Sequence, residues 1–205
     1  MISLIFTAWA ALATAAISPG PNLVAVASRG LGSGRSAALV VAAGLACGAF
    51  LWSFLTAVGL GTLFDAYPAL LHIMGLFGGV YLLWLGFKGW RAALTVKGGQ
   101  IAPIKGRGVW HDFLHGLTVT STNPKVALLW ASLSTLVGPA ITDWPLLLMF
   151  TTGSTIIIFA IYGTYGCLFS TGRARGLYQQ FQKTSEALFG TLFGALGIFM
   201  MKTAL

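Results

Sequence analysis

Six long apolar runs take up most of this chain, and no other feature limits its fold as strongly. They cover Ile2 to Ser28, Ser36 to Leu63, Tyr67 to Phe87, Phe113 to Val137, Trp144 to Phe169 and Glu186 to Met201, the last being the shortest. A helix crosses a bilayer with about 20 mostly apolar residues, and the runs are of that order. The short alternating segments of a closed membrane barrel do not occur. Only 8% of the 205 residues are charged, against about 25% in soluble domains, so a water-facing surface cannot be built. The reading is an all-α membrane protein of six transmembrane helices, with residues 1–205 forming a single domain.

The charges then orient it. The net charge is +8, which in a soluble protein would raise nucleic acid as a partner. Here the basic residues collect between the runs, and no nucleic-acid role is expected. The first connection carries Arg29 and Arg35. The third carries Lys88, Arg91, Lys97, Lys105 and Arg107, and the fifth Arg173, Arg175 and Lys183. The second and fourth offer only Asp65 and Asp143. By the positive-inside rule the odd connections are cytoplasmic and both termini face outward, with Lys202 the one dissent. The opening stretch lacks the basic flank of a signal peptide; its first positive charges follow the apolar run, so it reads as a retained span. Two halves of three spans, about 1–90 and about 113–205, flank a basic linker of about 91–112. Odd-numbered halves are opposite in orientation, which is the plan of inverted repeats in transporters.

Two of the spans contain breaks. Ser18-Pro19-Gly20-Pro21-Asn22 interrupts the first, and Ser121-Thr122-Asn123-Pro124-Lys125 the fourth, at comparable places in the two halves. A proline inside a helix removes a donor and frees the carbonyl four residues earlier. In a membrane, such backbone survives only when buried in protein or lining a wet cavity. Each break also starts a new helix, whose unpaired N–H groups and partial positive charge favour an anion. Freed carbonyls and the hydroxyls of Ser18, Ser121 and Thr122 suit an ammonium. The pair of breaks therefore reads as a binding site for both ends of a zwitterion, with Asn22 and Asn123 offering amide hydrogen bonds. Lys125 lies near the middle of its run, where a charge costs roughly 2.5–3.5 kcal/mol on insertion scales and marks function by default. It is expected to bind a substrate carboxylate or to carry a proton.

Other groups are less specific. Asp112 and His115 share a helix face and are further candidates for proton coupling. No carboxylate falls at mid-span, which argues against a strongly cationic substrate. Gly44 and Gly48, Gly75 and Gly79, and Gly190 and Gly194 have the spacing that lets membrane helices approach closely. Gly30 to Gly34 reads as a turn between spans. Cys47 and Cys167 keep open a different function, a membrane thiol electron carrier, although they sit at unlike depths; a small-solute channel is a third reading. No cofactor and no metal site are expected.

At these residues the chain resembles the lysine-exporter (LysE/RhtB) family of amino-acid exporters. "SPGPN" at Ser18 to Asn22, "YLLWLGFKGWR" at Tyr81 to Arg91 and "FLHGLTVTSTNPKVALLW" at Phe113 to Trp130 are similar to its first-, third- and fourth-span motifs, in the same order. The resemblance implies a transporter rather than an enzyme. It would be a multi-pass protein of the bacterial plasma membrane that moves amino acids outward at the expense of the proton gradient. Its partners would be an amino acid, protons and lipid, with a homodimer compatible with that role. Joined to the absence of mid-span carboxylates, this favours small neutral substrates.

Overall fold

A computed structural model describes residues 2–60, 67–95, 101–137, 141 and 143–171. Toward the C-terminus it describes 183–184, 187–188, 190–191, 193–195, 197–198 and 201–202. Among these residues all regular structure is helical. Asp65, Lys97, Gly98, Gly99, Arg173, Arg175 and Glu186, with the side chains of His72 and Pro124, lie outside the described residues.

Helix α1 spans Ile2–Ile17 and buries Ile5, Ala8, Leu12 and Ala16, a stripe at three- and four-residue spacing. Helix α2 spans Pro21–Leu55 and closes in a π-helical turn over Thr56–Leu60. Gly34 breaks α2 at φ 80°, a left-handed conformation that suits glycine and strains other residues. So α2 has two arms, 21–33 and 35–55. The turn expected over Gly30 to Gly34 is confined to its last residue, and helix persists through Arg29. Helix α3 spans Pro68–Thr95, α4 Val109–Thr122, α5 Pro124–Val137 and α6 Trp144–Phe169. Asp143, read as an outer-edge charge, caps α6 by accepting from the Leu146 N–H at 2.9 Å.

Glycines set the close approaches. A Cβ on Gly44 would sit 2.1 Å from the Phe113 carbonyl oxygen, and one on Gly116 2.1 Å from that of Val41. The second arm of α2 and α4 thus touch backbone to backbone, as the Gly44–Gly48 spacing predicts. Gly86 and Gly190 bring α3 and the C-terminal helical residues together in the same way. At the centre, Trp130 and Phe150 meet edge to face at 6.1 Å, both buried with Ile5, Val26, Val41 and Leu45.

The outside is apolar. Phe6, Phe77, Leu148 and Ile156 are all more than half exposed, a surface that suits lipid rather than water. By length and composition, Pro21–Val58 and Trp144–Phe169 can cross a membrane, while Ile2–Ile17 and Lys125–Ser134 are shorter apolar helices. The two breaks divide the first and fourth apolar runs each into two helices. The described parts of the first and third connections meet beside the end of α6. Gly32 lies against the Ile104 backbone, and Gly30 against Gly166 and Ser170.

Candidate functional site

Both breaks lie at the same place in space. α1 stops at Ile17 and α2 restarts at Pro21; α4 stops at Thr122 and α5 restarts at Pro124. Asn123 joins the second pair of helices. Its carbonyl accepts from the Ala127 N–H at 3.0 Å, and its side-chain Oδ1 accepts from the Lys125 N–H at 3.0 Å. With Pro124 in the first helical position, this is an asparagine cap that starts α5.

A chain of amides then crosses between the halves. Asn123 Nδ2 donates to Asn22 Oδ1 at 3.0 Å, and Asn22 Nδ2 donates to Thr120 Oγ1 at 3.0 Å. All three residues are buried. The asparagines, expected to present their amides to a ligand, are bonded to one another, to Thr120 and to the Lys125 N–H. They brace the breaks. Lys125 completes the connection: Nζ donates to Ser18 Oγ at 2.6 Å and stands 5.0 Å over the Phe193 ring. It sits in the first turn of α5, half-buried, and turns inward to the other break.

α2 has a different start. Gly20 precedes it in an extended conformation, no side chain caps it, and Pro21 holds its first turn. Its leading N–H groups are therefore open to a ligand. Gly20 also leaves room: a Cβ there would lie 3.7 Å from Lys125 Nζ. Both features border one partly open cavity of about 30 Å³, room for one or two waters. Ser18, Gly20, Asn22, Thr120, Asn123 and Lys125 supply its polar wall. Ala15 and Ala16, from the carbonyl end of α1, also line it, and Leu12, Val126, Trp130 and Ile158 form an apolar side.

Other predicted residues lie elsewhere. Pro19 and Pro21 shape the first break without lining the cavity, and Pro21 is exposed. Ser121 and Thr122 are exposed, and Thr122 Oγ1 donates to the Thr118 carbonyl within its own helix. Asp112 pairs with Arg29 rather than His115, Oδ1 to Nε 3.0 Å, and neither Asp112 nor His115 borders the cavity. Cys47 and Cys167 are unpaired free thiols.

Sequence reasoning missed two tyrosines. Tyr165 Oη donates to the Ile17 carbonyl at 3.0 Å, satisfying one of the carbonyls that the prolines free. Tyr162 lines the cavity beside Asn22. A hydroxyl on the inward face of an otherwise apolar run is the signal that could have found them.

A family model, LysE type translocator, matches residues 13–203. The chain belongs to the LysE type translocator family. It is accordingly a membrane transport protein and not an enzyme, which sets aside the thiol-carrier reading of Cys47 and Cys167. A threonine efflux protein of Salmonella typhi is 28% identical over 98% of both chains. A leucine efflux protein of Klebsiella pneumoniae is 34% identical over 56% of this chain and 53% of its own. A homoserine/homoserine lactone efflux protein of Salmonella typhimurium is 33% identical over 57% of this chain and 56% of its own. No solved structure matches the chain. Within the LysE type translocator family, then, these relatives are named for the efflux of amino acids and of a lactone derived from one.

Proposed function

We propose that this protein exports small neutral amino acids across the bacterial plasma membrane, driven by the proton motive force, through the cavity where the two breaks meet. One observation carries the reading. The ammonium of Lys125 and the uncapped start of α2 face the same cavity as the carbonyl end of α1. The first two attract a carboxylate, and the last an ammonium. No carboxylate stands among the described residues that line the cavity, which supports a neutral rather than a cationic side chain. The apolar wall of Leu12, Val126 and Ile158 accepts a short neutral one. The substrates named for the relatives agree with this in class.

In this reading the chain crosses the membrane six times as two inverted three-helix repeats, the first and fourth spans broken by proline. The bonded pair Asn22 and Asn123, one from each half, supports the repeat. The described first and third connections, both basic, lie together, and the positive-inside rule makes their end cytoplasmic, with both termini outside. A cavity of about 30 Å³ is too small for an amino acid, so the halves must rock apart to load and release substrate. Lys125 binds the carboxylate, and the coupling proton is carried by Lys125, His115 or Asp112.

The test is efflux from cells preloaded with each labelled amino acid in turn, with and without an uncoupler. Saturable efflux of small neutral amino acids that collapses with the uncoupler is expected. Exclusive efflux of lysine and arginine would remove the substrate assignment, and efflux indifferent to the uncoupler would remove the energy source.

A further inference from the structure

Away from the cavity, at the basic end, Arg29 and Asp112 form an ion pair in which each side chain is only 4% exposed. Arg29 Nη1 also donates to the Lys105 carbonyl, and the Arg107 N–H lies 3.5 Å from Asp112 Oδ1. Beside them the Ile104 N–H donates to the Ser28 carbonyl at 3.0 Å, and the Gly106 N–H to Ser33 Oγ. The segment 101–108 is thus a strap laid over the first arm of α2, and two of its four fixings reach one buried charge pair.

The position of this pair gives it a role. Arg29 follows Asn22 by two helical turns on α2, and Asp112 precedes Thr120 by about two turns on α4. Asn22 and Thr120 are themselves bonded at the cavity. At 1.5 Å of rise per residue, the ion pair therefore closes the same α2–α4 seam some 10–12 Å nearer the basic end. A solute moving from that end toward Lys125 along this seam must part Arg29 from Asp112. A buried ion pair suits that task, since its attraction is largely offset by the lost hydration of both charges. Water entering with the solute restores that hydration, so the closed and open states are close in free energy.

We propose that Arg29, by holding Asp112 and the strap, is the positioning residue of an inner gate over the transport site. The inference rests on the placement of that site at the two breaks. It is tested by labelling rather than by transport, so that either claim can fail alone. The reporter is Ala49→Cys, a cavity-lining position, in a Cys47→Ser, Cys167→Ser background, and the probe is a membrane-impermeant methanethiosulfonate. It is added to one face of sealed vesicles and then to the other, the basic face being fixed by a separate Arg35→Cys reporter.

Arg29→Gln and Asp112→Asn should each raise labelling from the basic face about tenfold and lower it from the opposite face, as a shifted two-state equilibrium requires. Exchanging the charges, Arg29→Asp with Asp112→Arg, should bring both rates back toward the parent values. Unchanged labelling, an equal rise from both faces, or no recovery in the exchanged pair would overturn the gate. An equal rise from both faces is the signature of a merely loosened structure.

Discussion

Asn123 ends one helix, starts the next and reaches across to the other half of the molecule. Its Oδ1 takes the Lys125 N–H and its Nδ2 reaches Asn22, so one side chain holds the second break open and ties it to the first. Removing either asparagine strands a buried partner, which costs about 1–3 kcal/mol. Asn22→Ala and Asn123→Ala should each lower the unfolding midpoint in detergent, and the double variant should lose less than the sum, because contacting residues couple. Additive losses would show that the amides act independently. The breaks themselves are legible in the sequence, since proline states its own backbone consequence. The bond between the asparagines is not, because it joins residues 22 and 123 and no local pattern encodes that contact. Arg29 was hidden for another reason: by sequence it reads as one more cytoplasmic positive charge. With only 4 acidic residues in the chain, the scarcity of partners was the clue that Asp112 would be matched to a base.

Between elements, the seam of α2 and α4 has the least tolerance. A Cβ on Gly48 would fall 1.9 Å from Thr120 Cγ2, and Thr120 is the residue that accepts from Asn22. Gly48→Leu should therefore displace α4, destabilise the protein by about 1–3 kcal/mol through overpacking, and disturb the cavity as well. A measured stability and efflux equal to the parent would contradict the packing described. The spacing of Gly44 and Gly48 announces such a contact but not its partner, and the facing glycine, Gly116, belongs to no spaced pair of its own. Element boundaries were less legible. The first arm of α2 stays helical past Ser28 because, from Gly30 to Gly34, only Gly34 adopts a left-handed φ, and α3 runs to Thr95, carrying Lys88 and Arg91 on a helix rather than in a loop.

At the scale of the molecule, sparse charge and long apolar runs specify a membrane protein, and the positions of the basic residues predict which connections share an end. The contacts of Gly30 and Gly32 bring the described first and third connections to the end of α6. The same arrangement puts a charged seam at the basic end and a small polar cavity along the same seam, with Lys125 reaching from one half to Ser18 of the other. This joining through one lysine is the central feature of the site. Its direct measurement is efflux of a labelled small neutral amino acid from preloaded cells carrying Lys125→Ala, with membrane insertion matched to the parent. A lost charge-assisted hydrogen bond to the substrate is worth about 1.5–3 kcal/mol, so the efflux rate at subsaturating substrate should fall roughly 10- to 100-fold. Efflux at the parental rate would contradict the site.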